Sequence, residues 1–160
     1  FQTSSGELRD RRGALGISYP ETKESTTSLT FWCYGSEVEI QRLEDGECFA
    51  FEMLASGQVR EAVSEIIAHR QDYINNVSGL EVMLNLAGYD HLNQQNRENA
   101  IALLELNVTL FPESSNVYDS LGEACLLDGQ REIAIRHYQR SLELDPENRN
   151  AIDVLRTVTE

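Results

Sequence analysis

Three histidines and three cysteines are among the residues of this sequence that could bind a metal ion or act as nucleophiles. No two of His69, His91 and His137 are three or four positions apart, and none neighbours a cysteine in a zinc-binding pattern. We therefore expect packing or surface roles for the histidines. No metal and no cofactor are expected.

The cysteines are too few and too irregularly spaced for a disulfide scaffold or a thiolate metal site. Cys33 and Cys48 could pair, and the sequence leaves that question open. Cys125 lies between Ala124 and Leu126 on an apolar helix face. Without an adjacent base it is expected to act as a small core residue and not as a nucleophile.

Two further groups of residues are candidate sites of other kinds. Arg9, Arg11 and Arg12 could bind a phosphate or a carboxylate, but Glu7 and Asp10 interleave with them, so a solvated loop is predicted. The glycosylation pattern occurs at residues 76–78 and 107–109. Asn107 falls inside a predicted helix, which argues against modification there.

The composition predicts a folded, acidic protein. The chain has 160 residues, of which 41% are hydrophobic and 25% charged, and its net charge is −14. One compact domain or two small modules are expected. Such a charge disfavours nucleic acid and anionic membranes as partners. No apolar run approaches the roughly 18–20 residues of a membrane span, and no signal peptide is apparent. Because the first residue is Phe1, we expect a processed chain or a piece of a longer one.

Residues 1–42 are predicted to be rich in β-structure and resemble no family. Apolar and polar residues alternate over 29–34 and 37–41, which predicts a hairpin whose two-residue loop is Gly35-Ser36 in a type II′ turn. A short strand is expected at 14–19 and a polar loop at 21–28.

After Leu43 the apolar residues recur every three or four positions, which predicts helices. Ser78 and Glu81 have the spacing of a capping box at the start of one of them. The predicted helices are Glu47–Ser56, Gln58–Gln71, Leu80–Gln94, Arg97–Phe111, Ser115–Asp128, Gln130–Leu144 and Asn150–Val158.

A shift of 34 residues superimposes the special positions of these helices. The shift places Gly88 on Gly122, Ala100 on Ala134, and Pro112 on Pro146. A 34-residue period with two helices resembles the tetratricopeptide repeat. The resemblance implies a mostly α fold, a solenoid of antiparallel helix pairs that follows the short hairpin-containing N-terminal segment.

The repeat assigns each of these residue types a packing role. Gly122 against Ala134, and Gly88 against Ala100, would let two helices approach closely. Large residues would fill the space between layers, and a proline would end the second helix of each pair. These large residues are Tyr118, Leu121 and Tyr138. The expected organisation is a β-rich segment at 1–42, a degenerate unit and linker at 43–80, two repeats at 81–148 and a capping helix at 149–160.

Residues 80–155 also resemble the tetratricopeptide tail of bacterial serine hydrolases of the β-lactamase-like and esterase kinds. The likeness is carried by Leu84-Asn85, Gly88-Tyr89, Asn107-Val108, Pro112, residues 116–124 and residues 141–144. It implies an accessory region whose catalytic domain lies upstream, and a location in the periplasm. Without this resemblance the bacterial cytoplasm is expected. This chain contains no G-x-S-x-G and no S-x-x-K motif, so it is expected to have no catalysis of its own.

Repeat solenoids bind ligands on the face formed by the first helix of each pair. Asp119 and Glu123 fall there, where repeats that bind the acidic C-termini of heat-shock chaperones have basic residues. We therefore expect a protein or peptide ligand, apolar with a basic or amide-rich flank; the alternatives are the chain's own N-terminal half or a second copy. The predicted groove residues are Val82, Asn85, Leu86, Tyr89, Leu92, Asn93, Asn116, Asp119, Ser120, Glu123, Leu126 and Leu127.

Overall fold

The computed structural model describes residues 7–9, 15–18, 28–33, 36–41, 50–77 and 79–159. The chain divides into two compact units, Phe1–Met83 and Leu84–Glu160. In the described residues the architecture is mostly α-helical with a small antiparallel sheet, which confirms the expected fold class. No helix in these ranges is long and apolar enough to cross a membrane.

Four strands pair in sequence order in the first unit. Their bounds are β1 Glu7–Arg9, β2 Leu15–Ser18, β3 Ser28–Cys33 and β4 Ser36–Gln41. The alternation of residue types predicts β2, β3 and β4. It does not predict β1, because three residues are too short to show an alternation. Arg9 therefore belongs to a strand and not to the solvated loop expected for 9–12, whose remaining residues lie outside the described ranges.

The β3–β4 hairpin differs from the prediction in its register. Cys33 pairs with Ser36 and Phe31 with Val38, so Ser36 begins β4 and is not a loop residue. A loop at 35–36 would instead have placed Phe31 opposite Ile40. The two registers differ by two residues and leave the same side chains on each face, so alternation alone cannot separate them. The conformation expected for Gly35 lies outside the described residues.

The helices of the first unit are α1 Ala50–Ala55, α2 Val59–Ala68, α3 Arg70–Asn76 and the first turn of α4 Leu80–Asn93. The single helix predicted at Gln58–Gln71 is wrong, because the chain leaves the helical conformation at His69, with φ −113° and ψ 27°. Ile66 and Tyr73 are seven residues apart and both buried. Their spacing fits one continuous helix, so the pattern gives no sign of the break. Ser78, the first residue of the expected capping box, is not described.

Helix α3 packs Tyr73 on α1. Its ring meets Phe51 edge-on with 5.9 Å between centroids, and its hydroxyl accepts a hydrogen bond from the backbone N–H of Ala50 at 3.3 Å. Both aromatic side chains are buried. This contact gives the break at His69 a physical reason, since tertiary packing of one aromatic residue outweighs the local preference for a longer helix.

The second unit contains α4 from Leu84 onward, α5 Arg97–Leu110, α6 Ser115–Leu127, α7 Arg131–Leu144 and α8 Arg149–Thr159. Observed and predicted bounds agree within a residue. Helices α5 and α7 each end two residues before a proline, as the residue before proline avoids the helical conformation. A three-residue turn joins α6 to α7, which packs against it, so the two helices run antiparallel.

Two glycines set the distance between helices in the second unit. A Cβ atom at Gly122 would lie 3.0 Å from Cε2 of Tyr138, and one at Gly88 would lie 2.7 Å from Cγ of Leu104. The glycines therefore make room for large side chains and not, as predicted, for Ala134 and Ala100. Each large residue follows its alanine by four positions, one helical turn.

The core of the second unit is a cluster of buried residues from α5 to α8. Tyr138 is its largest member, and Leu121 is buried beside it, as predicted. Tyr118, expected to fill the same interior, is instead partly exposed and stacks on His137, with 6.2 Å between ring centroids. The other members of the cluster are Leu104, Ala124, Cys125, Ala134 and Ala151.

Candidate functional site

The residues predicted to line the groove lie on two helices, and their exposure varies. Ser120 is 2% exposed and so cannot offer its side chain to a ligand, whereas Leu127 is 54% exposed. Leu92 and Leu126 are partly buried against the core of the second unit. Val82, at 59% exposure, belongs to the first unit. Of the remainder, Asn93 and Asn116 are exposed and Asn85, Leu86, Tyr89, Asp119 and Glu123 are partly exposed.

Tyr89 and Glu123 are in direct contact. The phenol of Tyr89 on α4 donates a hydrogen bond to Oε2 of Glu123 on α6, and the two oxygens are 2.7 Å apart. Burial, and then the bond to Glu123, raise the pKa of Tyr89 to about 12. Tyr89 therefore stays a neutral donor at physiological pH, and it orients the Glu123 carboxylate without neutralising its charge.

Asp119 is held by two asparagines at the start of α8. Nδ2 of Asn148 donates to Oδ1 at 2.9 Å, and Nδ2 of Asn150 donates to Oδ2 at 2.8 Å. Both donors are neutral amides, so these bonds bring no positively charged side chain to Asp119. Neither asparagine is among the predicted groove residues, because both lie at the start of the helix that the sequence predicts to be only a cap.

Asn148 also belongs to a second set of hydrogen bonds. Its Nδ2 donates to Oγ of Ser141, and that hydroxyl donates to the backbone carbonyl of Ser115, each over 2.9 Å. Its Oδ1 accepts from the N–H of Ala151 at 3.2 Å and so caps α8. The sequence signal that could have revealed Asn148 is its place directly before α8, where asparagine is a preferred cap.

The negative charges of Asp119 and Glu123 affect a buried tyrosine of the second unit. Tyr138 is buried, and burial, followed by the negative charges of Asp119 and Glu123, raises the pKa of its hydroxyl. Asp119 and Glu123 are four positions apart on α6, so they lie on the same side of that helix. The second unit therefore has an electronegative surface over an aromatic core.

The histidines of the second unit pack, as expected. Nδ1 of His91 is buried, and burial lowers the pKa of the ring. Burial and then the charge of Arg136 lower the pKa of His137, which stacks on Tyr118. Neutral, packed rings are poor candidates for proton transfer at the surface.

The other chemical candidates offer no site in the described residues. Cys125 is 2% exposed, and burial raises the pKa of its thiol to about 11, so it is a core residue there. No group of three His, Cys, Asp or Glu side chains within those ranges could hold a metal ion. Asn107 is fully buried and unavailable for glycosylation. Cys48 and Ser78 lie outside the described residues, so the structure tests neither the pairing of Cys33 with Cys48, which the sequence leaves open, nor the first glycosylation pattern.

Comparison with known proteins shows one family match and several similar structures. Residues 115–148 match the family model of the tetratricopeptide repeat. This match covers α6 and α7, one complete helix pair with the turn that follows. A search of curated proteins finds no matching relative.

The similar solved structures include three tetratricopeptide domains of RPAP3. The first domain of Spaghetti (RPAP3) bound to the HSP90 peptide SRMEEVD is 21% identical, with a TM-score of 0.48 over 69% of this chain and 84% of that one. The first domain of human RPAP3 is 21% identical, with a TM-score of 0.49 over 69% of this chain and 84% of that one. The second domain of human RPAP3, in complex with the HSP70 peptide SGPTIEEVD, is 16% identical, with a TM-score of 0.48 over 69% of this chain and 89% of that one.

Proposed function

We propose that this chain is a protein-interaction module that binds an extended peptide or a segment of a partner protein on the second unit. The binding surface is the α4/α6 face, defined as Asn85, Tyr89, Asn93, Asn116, Asp119, Glu123 and Leu127. The observation that carries the proposal is the Tyr89–Glu123 hydrogen bond, which links equivalent positions of successive repeats and holds a charged carboxylate on this face.

The charge of this face determines the class of ligand. Asp119 and Glu123 receive hydrogen bonds from neutral groups only, so two negative charges remain to repel an anion. Two of the RPAP3 structures named above contain a peptide that ends in Glu-Glu-Val-Asp. We propose the opposite preference here, for arginine or lysine, because arginine can bind a carboxylate through two N–H groups.

The composition of the rest of the face suggests what flanks the basic residue. Leu127 exposes half of its side chain and offers an apolar contact. Asn93 and Asn116 are exposed amides that can hydrogen-bond a peptide backbone in either direction. A short segment with one apolar and one basic anchor fits this arrangement. A second copy of this chain, which also carries −14, is a poorer electrostatic match.

NMR shift mapping tests the proposal. A fluorescein-labelled decapeptide of leucine, asparagine and two arginines is titrated into the ¹⁵N-labelled chain. Shifts are expected to concentrate at residues 85–93 and 116–127, and Glu123→Gln should weaken binding several-fold. Glu132→Gln, which removes the same charge from α7, should leave binding unchanged. Shifts spread evenly over the surface, or equal effects of both substitutions, would contradict the proposal.

The serine-hydrolase association is a separate proposal, based on the sequence resemblance of residues 80–155. It predicts a catalytic serine motif in the same open reading frame, upstream of Phe1. Sequencing the full reading frame at its source tests this, and an upstream region without G-x-S-x-G or S-x-x-K would contradict it.

A further inference from the structure

Asp119 and Glu123 have different partners, although they lie one helical turn apart. Both oxygens of Asp119 are bound by side chains at the start of α8, whereas Glu123 is bound by a single phenol. We propose that Asp119 is a positioning residue that fixes the N-terminus of α8 against α6, and that Glu123 is the carboxylate that selects the ligand. The second half of this inference rests on the proposed function; the first half does not.

The link from Asp119 to α8 is part of the helix start itself. Asn148 donates to Asp119 with Nδ2 and caps α8 with Oδ1, which accepts from the N–H of Ala151. One side chain therefore orders the first turn of α8 and ties it to α6. Asn150, in the same turn, supplies the second bond to the carboxylate.

The electrostatic surroundings of the two carboxylates also differ. The N-terminus of a helix carries a positive partial charge, and the α8 N-terminus lies next to Asp119 through Asn148 and Asn150. Part of the charge of Asp119 is thus compensated within the fold. A cationic ligand at Asp119 would have to compete with two amide donors, whereas at Glu123 it would meet a neutral hydroxyl.

The preceding repeat provides a comparison within the same chain. Asn85 and Asn116 occupy the positions of Asp119 and Asn150, 34 residues earlier. Oδ1 of Asn85 is buried without a hydrogen-bond partner among the described residues. The carboxylate-to-amide link is therefore absent from that earlier position and present where α8, the last described helix, docks. This distribution fits a role in holding the end of the helix array.

Hydrogen exchange of the ligand-free chain tests the role of Asp119. Asp119→Asn replaces one of the two carboxylate oxygens by an NH₂ group, which then faces the Nδ2 donor of Asn148 or Asn150. The substitution should raise hydrogen exchange of the α8 amides about tenfold relative to those of α6. Glu123→Gln, the matched control, should change the exchange of the α8 amides relative to those of α6 by less than about twofold. Asn150→Ala should also speed exchange. Alanine favours helix more than asparagine does, so faster exchange in this variant must come from the lost bond.

Unchanged α8 exchange in both Asp119→Asn and Asn150→Ala would overturn the positioning role. If circular dichroism shows that Asp119→Asn unfolds the chain, Asn150→Ala decides alone, because Asn150 is exposed and its truncation leaves the core intact. The experiment needs no ligand, so its result is independent of the proposed function.

Peptide binding tests the role of Glu123. The arginine decapeptide and the same peptide with citrulline, which is neutral, are titrated into wild type, Asp119→Asn and Glu123→Gln. The ratio of the two Kd values should fall to near one in Glu123→Gln. In Asp119→Asn the ratio should keep its wild-type value even if both Kd values rise. A structural effect on the face would weaken the arginine peptide and the citrulline peptide equally.

The opposite pattern, in which the ratio collapses in Asp119→Asn and survives in Glu123→Gln, would overturn the assignment. If neither peptide binds wild type, the proposed function fails and the assignment of Glu123 fails with it. The α8 exchange measurement still decides the role of Asp119 in that case.

Discussion

Tyr89 and Glu123, 34 residues apart in the sequence, are joined by a 2.7 Å hydrogen bond from phenol to carboxylate. The bond connects α4 to α6 on the α4/α6 face, the proposed binding surface. It also fixes one carboxylate before any ligand arrives. An anchor that is already ordered costs less conformational entropy on binding.

Tyr89→Phe removes the donor and leaves the Glu123 carboxylate without it. We expect a loss of about 0.5–1 kcal/mol in the free energy of unfolding, measured by urea denaturation, since the pair is partly exposed. Glu123→Gln should cost a similar amount. The double variant should cost less than the two single variants together, because both break the same bond. Strict additivity would show that the hydrogen bond does not contribute to stability.

Gly88→Ala should destabilise the chain, although alanine usually stabilises a helix relative to glycine by about 0.5–1 kcal/mol. The added Cβ would lie 2.7 Å from Cγ of Leu104, which is not the flexible end of that side chain. We expect a net loss of about 1–3 kcal/mol in urea denaturation. Adding Leu104→Ala to this variant should cost less than Leu104→Ala costs in wild type, since it also relieves the clash. A stabilised Gly88→Ala would contradict the close approach of α4 and α5.

Asn148 provides a test that separates helix capping from the link to Asp119. Aspartate and asparagine are similar N-cap residues, and loss of a cap to alanine costs about 1 kcal/mol. Asn148→Asp keeps the cap oxygen but replaces the Nδ2 donor with an oxygen facing the Asp119 carboxylate. We therefore expect Asn148→Asp to be at least as destabilising at pH 7 as Asn148→Ala. A melting temperature for Asn148→Asp equal to that of wild type would show that Asn148 is only a cap.

Acid should weaken the second unit through its packed histidines. Burial lowers the pKa of His137 in the folded state, so the neutral ring favours folding. This contribution is present above about pH 6.5, the unfolded pKa, and is lost as the pH falls through the lower folded pKa. His137→Phe keeps a ring against Tyr118 and cannot titrate. Its free energy of unfolding should fall less steeply than that of wild type between pH 7 and 5; parallel curves would contradict the effect.

Much of the fold of the second unit follows from local signals in the sequence. Apolar spacing, the glycines and prolines, and the 34-residue period together locate α4 to α8, because each marks a helix face or a helix end. The break at His69 could not be predicted. It depends on Tyr73 reaching Phe51, a contact between residues that are 22 positions apart.

The sequence predicts part of the candidate site, and the structure alone shows the rest. Repeat position alone places Tyr89, Asp119 and Glu123 on one face, but it cannot show which of them is occupied by the protein's own side chains. Asn148 reaches back 29 residues to Asp119, and asparagine in a turn is equally typical of a simple helix cap. Only the folded structure separates the two carboxylates.

The most direct test of the central claim is the ratio of affinities for two matched peptides. Fluorescence anisotropy would compare decapeptides of leucine and asparagine that carry either two arginines or two glutamates, at 50 and at 300 mM salt. The account predicts tighter binding of the arginine peptide by tenfold or more at low salt, with a smaller ratio at high salt as screening increases. Equal binding of both peptides, or tighter binding of the glutamate peptide, would contradict it.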